Sequence, residues 1–247
     1  MLESMTTGSW MVAAICGLLV GVTKTGVPGL GILVVPLLAL IVPPRESSGV
    51  MLPMLILGDL IAVAYYRRSA VWAHLLPLFP CTVAGVVAGY FAMGHLSNNQ
   101  VGPLIGIIIL ALLGVGWWRR WQGEENETFQ YPQVTALLFG FLAGFTTMVA
   151  NAAGPVMALY LLAMRLPKEE FMGTGAWFFL LVNWLKVPFS VQLHLITLES
   201  LKFNLMLVPL IVLGAAGGVY FQKRIPQRAF NATVEVLAFI AAVRLLF

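Results

Sequence analysis

Apolar residues run through this chain in long blocks, and polar residues interrupt them at a few sharp points. The first block covers about residues 9–22 and stops at Thr23-Lys24-Thr25-Gly26. A second covers about 28–42 and stops at Pro43-Pro44-Arg45-Glu46. At 1.5 Å per residue each gives roughly 21–23 Å of helix, short of the roughly 30 Å of a hydrocarbon core. Gly26, Pro28, Gly29 and Gly31 argue against one continuous helix through both. The blocks at about 48–66, 73–94 and 100–118 are long enough to span, and each predicts a transmembrane helix. The last of them ends in Trp117-Trp118-Arg119-Arg120-Trp121, the composition of an interfacial anchor.

The pattern then recurs. Gly17, Leu19, Gly21, Thr23, Gly31, Leu38, Pro44 and Glu46 match Gly140, Leu142, Gly144, Thr146, Gly154, Leu161, Pro167 and Glu169 at a constant offset of 123. Pro80, Gly85 and Gly89 match Pro209, Gly214 and Gly218 at an offset of 129, which a longer loop around 190–200 absorbs. The second half therefore has its own polar break, from Thr146 to Pro155, between two short apolar runs. The pattern predicts one transmembrane domain built from a first repeat (1–121), a polar linker (122–132) and a second repeat (133–247).

Composition sharpens the class. Hydrophobic residues make up 60% of the 247 and charged residues 10%, against about 25% charged in soluble domains. Lipid is the solvent such a surface needs, and blocks without alternation point to helices rather than a β-barrel. The expected fold is therefore an all-α integral membrane protein. The net charge of +4 sits in short loops, where the positive-inside rule accounts for it without nucleic acid. Cys16 and Cys81 lie in apolar runs and read as buried small hydrophobes. The acidic start, Met1-Leu-Glu-Ser, gives no sign of a cleavable signal peptide.

Loop charges bear on topology. If each broken segment is a hairpin of two short helices that leaves on the side it entered, one side collects Arg67, Arg68, Arg119, Arg120, Arg165, Lys168, Lys223, Arg224 and Arg228. The other side keeps Arg45, Lys202 and Arg244. A single discontinuous helix per break would split the basic loops between sides. The rule thus favours two inverted repeats, each a broken hairpin followed by three transmembrane helices, with both termini outside the cytoplasm. Two thin full spans per hairpin would give the same parity.

Inverted repeats with broken helices describe a secondary transporter whose site lies where the breaks meet. Irregular backbone at membrane depth has to be buried in protein or line a wet cavity. A short helix is expected after each break, its free N–H groups aimed at the break, with Thr25 and Asn151 as caps and Pro28 in the first turn. Two such ends with Lys24 would favour an anion. The expected contacts are Thr23, Lys24, Thr25, Gly26 and Gly29 at the first break and Thr146, Thr147, Asn151 and Gly154 at the second. Simpler readings stand beside these: lysine snorkelling, glycine packing, and threonine bonding back to its own helix.

Asp59, in the middle of a span, is costly unless functional. It can pair with Lys24 or Lys186, or carry a coupling proton. Asn183 occupies the comparable place in the second half, and Trp177 and Asn183 are weaker site candidates. His74, His95 and His194 fall near loops and receive no role. Arg45 and Lys168, each followed by Glu, read as solvated turn charges. Without Gly-x-Ser-x-Gly plus a partner His, or His-Glu-x-x-His, the chain reads as no enzyme. Without clustered His, Cys or carboxylates it reads as binding neither a metal nor another cofactor.

Gly21-Val-Thr-Lys-Thr-Gly-Val-Pro-Gly-Leu-Gly31, followed by Val35-Pro36-Leu37, resembles the first signature of the TauE/SafE sulfite-exporter family. Gly140-Phe-Leu-Ala-Gly-Phe-Thr146 through Gly154-Pro155 resembles the second, with Asn151-Ala-Ala-Gly154 in place of a run of glycines. The resemblance covers essentially the whole chain. It implies a transporter of the bacterial cytoplasmic membrane that exports small sulfur-containing anions, such as sulfite, sulfoacetate or other sulfonates, driven by ion gradients. A passive anion channel, or a transporter of another small organic anion such as a carboxylate, is the alternative. Membrane lipid, the anion and a coupling proton are the expected partners, and the oligomeric state stays open.

Overall fold

A threonine outside the first apolar block sets where the first helix begins. Thr6 accepts from the Ser9 N–H at 3.2 Å and caps α1, Thr7–Thr25. The structure, a computed structural model, describes residues 5–28, 30–42, 44–92, 98–121 and 132–246. Within them every regular element is helical. After α1 come a 3₁₀ turn at Leu30–Leu33, α2 (Val34–Ala39), α3 (Pro44–Tyr66), α4 (Trp72–Leu75), α5 (Leu78–Ala92) and α6 (Asn98–Trp121). The second half holds α7 (Pro132–Ala150), α8 (Ala153–Ala163), α9 (Lys168–Gln192), α10 (Leu198–Arg224) and α11 (Gln227–Leu246).

The arms around each break are unequal, which corrects the expectation of two short helices. α1 and α7 each have 19 residues, about 28 Å of helix. α2 has 6 residues and α8 has 11. Helix α1 outruns its apolar block because the Thr6 cap starts it early and because Thr25, at its other end, is held against the Ala215 carbonyl. Thr7–Thr25, Gly49–Tyr66, Trp72–Ala92 and Leu198–Arg224 are each long and apolar enough to cross a membrane. Their outward residues are large and apolar, as lipid contact requires: Met11, Leu60, Phe91 and Leu205 are all exposed. With the shorter apolar helices they make a multi-pass membrane protein.

The glycines singled out by the repeat lie at two helix crossings. A Cβ on Gly21 would stand 2.2 Å from the Ile211 carbonyl oxygen, and one on Gly214 would stand 2.2 Å from that of Leu18. On the other side of the molecule, a Cβ on Gly144 would meet the Thr82 carbonyl oxygen at 2.1 Å, and one on Gly85 that of Phe141 at 2.2 Å. Only glycine permits such backbone approach. Contacts advance together along both pairs, from Gly17 with Leu210 to Gly26 with Gly218, and from Gly140 with Leu78 to Gly89 with Met148. Thus α1 runs parallel to α10, and α7 parallel to α5. Each long arm packs on a helix from the other half of the chain.

The apolar core follows this exchange. One cluster joins α1, α2 and α3 to Phe203, Leu207 and Ile211 of α10. Another joins α7, α8, α9 and α11 to Leu78 and Val86 of α5 and Ile105 and Ile109 of α6. Helix α3 crosses α9, and α6 packs on α11.

Three basic corners gather at one end. The Val71 N–H after the Arg67-Arg68 turn donates to Thr174 Oγ1 at 2.9 Å. Lys223 Nζ stands 5.4 Å from the Tyr65 ring centroid. Lys168 Nζ donates to the carbonyls of Gln222 at 3.0 Å and Ile225 at 2.9 Å. Lys168 is therefore no freely solvated turn charge. Its ammonium satisfies carbonyls at the end of α10 that lack helical partners.

Candidate functional site

Helices α1 and α7 stop at the two breaks, and the stops differ. At the first, the Gly26 and Val27 N–H groups both return to the Val22 carbonyl, at 2.8 and 3.2 Å. At the second, Asn151 takes φ 52°, and its N–H and that of Ala152 close onto the carbonyls of Thr147 and Thr146 at 3.0 and 3.1 Å. Asparagine is among the few residues besides glycine that enter this left-handed region readily. That accounts for an asparagine at the point where the chain turns out of α7.

The expected caps are corrected. Thr25 is the last residue of α1, and its hydroxyl bonds to the Ala215 carbonyl at 2.7 Å and the Gly21 carbonyl at 3.1 Å. Its own carbonyl accepts from the Tyr66 hydroxyl at 2.8 Å. Thr25 thus ties the end of α1 to α10 and α3 rather than starting another helix. Pro28 opens no helix, since the next turn begins at Leu30. The N-cap of α8 is Ala152, with no side-chain oxygen to offer, and Asn151 stands one residue before it. The first turn of α8 therefore receives no side-chain cap from its N-cap residue, and Pro155 has no N–H to offer.

Between the breaks lies a cavity of about 320 Å³. Thr23, Lys24, Pro28 and Gly31 line it from the first break, and Thr147, Asn151, Ala153 and Gly154 from the second. Asp59 reaches it from α3 and Asn183 from α9, while Met51, Leu55, Met157, Leu161, Phe171 and Phe179 make apolar walls. A methyl on Gly154 would enter open space. Gly31 lies under Thr23, and a Cβ there would meet the Thr23 methyl at 3.1 Å.

Two ammonium groups sit at this level. Lys24 Nζ lies 2.7 Å from Asp59 Oδ1 and 4.4 Å from the centroid of the Phe179 ring. Gly58 leaves room for the lysine stem, since a Cβ there would meet Lys24 Cγ at 2.9 Å. The other oxygen of Asp59 accepts from Asn183 Nδ2 at 2.7 Å. Asp59 is fully buried, so both its oxygens need such donors. The second ammonium is that of Lys186, one helical turn beyond Asn183. It donates to Thr147 Oγ1 at 3.3 Å and to Asn151 Oδ1. Lys186 itself stands behind these two residues and off the cavity wall.

Of the residues expected at the site, Thr23, Lys24, Asp59, Thr147, Asn151 and Gly154 come together on the cavity, and Asn183 joins them. Four others do not, Lys186 among them. Thr25 is used as described, Gly26 packs against the backbone of Gly218, and Thr146 donates to the Leu142 carbonyl within its own helix at 2.8 Å. Trp177 faces Trp72 across 5.2 Å. Gly29 lies outside the described residues. Arg244, near the end of α11, lines the cavity and was expected only among the charges of the less basic side. Its signal in the sequence was weak: one cation closing an apolar helix, with nothing to show that α11 packs on α8.

The family model described as "Sulfite exporter TauE/SafE" matches residues 13–245. No curated protein and no solved structure matches the chain.

Proposed function

Since the chain belongs to the TauE/SafE sulfite exporter family, a family of transporters, we propose that it is a secondary transporter exporting small sulfur-containing anions, such as sulfite, sulfoacetate or other sulfonates. The anion sits in the cavity between the two breaks, and alternating access exposes it to each side in turn. One observation carries this reading: the ends of both long arms, Lys24 and Asp59 from one half, and Thr147 and Asn183 from the other converge on one cavity. Irregular backbone is tolerated at membrane depth where it lines such a space.

The two halves are inverted repeats in this reading. Its support is the exchange of partners, α1 along α10 and α7 along α5, with α3 on α9 and α6 on α11 as the pairs that map onto themselves. Asp59 and Asn183, comparable positions of the two halves, bond to each other at the centre of this arrangement. The basic end gathered by Lys168 and Lys223 faces the cytoplasm of a bacterial inner membrane, which leaves both termini on the other side. Asp59 is the carrier of a coupling proton: protonated, it would release Lys24.

Proteoliposomes containing the purified chain test the proposal. Saturable sulfite or sulfoacetate flux that a protonophore collapses is the expected result. Flux that is linear in concentration and indifferent to the proton gradient would describe a passive channel and sink alternating access.

A further inference from the structure

The Lys186 ammonium is buried, with the residue 2% exposed, yet among the described residues no carboxylate pairs with it directly. Asp59, the carboxylate on the cavity, is taken by Lys24 and Asn183. Neutral oxygens hold Lys186 instead: Thr147 Oγ1 and Asn151 Oδ1. An ammonium can only donate, so Thr147 Oγ1 must accept from it. The hydroxyl proton of Thr147 is then left over. Among the described residues no carbonyl takes it, whereas the hydroxyl of neighbouring Thr146 returns to its own helix. Thr147 is 4% exposed and lines the cavity. A buried hydroxyl donor with no acceptor, backed by a cation, requires an acceptor from the cavity side.

We infer that Lys186 is a positioning residue that makes the second break the anion seat. Its ammonium occupies the acceptor side of Thr147, and the Thr147 O–H donates to the bound anion. The positive charge acts through that hydroxyl without itself touching the substrate. Polarisation by an adjacent ammonium strengthens the O–H as a donor. Lys24 makes no equivalent seat, because its charge is already compensated by Asp59. The inference rests on the reading above that the cavity takes a small anion.

The test is calorimetric titration of the purified full chain in detergent with sulfite and methanesulfonate, and with acetate and nitrate. T147S keeps the hydroxyl and should bind within about threefold of the unchanged chain, whereas T147V and K186M should each weaken binding about tenfold or more. Because one residue acts through the other, T147V/K186M should bind no more weakly than the worse single variant. T147V binding as T147S does would overturn the inference, and that comparison needs no K186M protein. Losses that multiply in the double variant would overturn it too, by giving Lys186 a separate role. If acetate or nitrate binds in place of the sulfur anions, with the same T147V loss, the inference stands and the sulfur cargo falls.

Discussion

The two breaks each end a 19-residue helix and differ in how each obtains its charge. At the first, Lys24 belongs to the broken helix itself and meets Asp59 at 2.7 Å. At the second, the position matching Lys24 is Thr147, and the ammonium arrives from α9 as Lys186. The sequence pattern suggested a site symmetric in backbone and charged on one side. Among the described residues each break has one ammonium, and the first alone pairs it with a carboxylate. Charge can thus reach two comparable breaks from different elements, from the broken helix at one and from a neighbouring helix at the other. The difference also separates a neutral pair from a cation held by neutral oxygens.

The largest effect should come from splitting the pair. Lys24→Met leaves Asp59 buried without its cation, and Asp59→Ala leaves Lys24 without its anion. Each should cost about 3–5 kcal/mol, and the double change Lys24→Met/Asp59→Leu should recover most of it. Thermal unfolding in detergent measures this, and single variants as stable as the unchanged chain would mean that the first break is not a buried pair.

Next come the crossings that hold the long arms. Gly21→Ala and Gly144→Ala each drive a methyl into a carbonyl oxygen of the partner helix, at a cost of about 1–3 kcal/mol or more. Similar losses in the two variants are expected from equivalent crossings. A large loss in one and none in the other would break the equivalence on which the comparison of the breaks depends.

Lys186→Met should act with the opposite sign to Lys24→Met. It removes a buried cation that, among the described residues, is held by neutral oxygens, so anion-free protein should keep its stability or gain about 1 kcal/mol. A loss as large as that of Lys24→Met would show the two ammonium groups to be alike. The smallest effect belongs to Asn151. Asn151→Gly keeps the left-handed turn, whereas Asn151→Ala must enter it at about 1 kcal/mol or more. The ordering of the two variants by unfolding temperature checks that backbone geometry, besides the Lys186 contact, selects this residue.

Much of this was legible before any fold was known. Close packing was the simpler of the two readings open for the glycines, and Gly21, Gly85, Gly144 and Gly214 are the residues at the two crossings. The breaks after Lys24 and near Asn151 fell where polar residues and backbone formers said they would. Asp59 was recognised as costly, and pairing with Lys24 was one of its expected partners. Less legible was the length of α1, because the Thr6 cap lies outside the apolar block. The use of each threonine was also hidden. Thr23, Thr25, Thr146 and Thr147 look alike in sequence, but only neighbours from other helices decide which hydroxyl is spent on a carbonyl. Nothing local marks Arg244 as a cavity residue, for the same reason.

Read alone, the amino-acid order already calls for lipid as the solvent and for the ends of the two long arms near Lys24 and Asn151. These follow from hydrophobic run length and from local backbone preferences, which need no knowledge of distant contacts. The electrostatics of the site, by contrast, come from contacts between distant helices. Asp59 and Asn183 meet across 124 positions, and Lys186 and Thr147 across 39. In a buried region of low dielectric, the energy of a charge depends on the few groups within hydrogen-bonding reach, and helix packing chooses those groups.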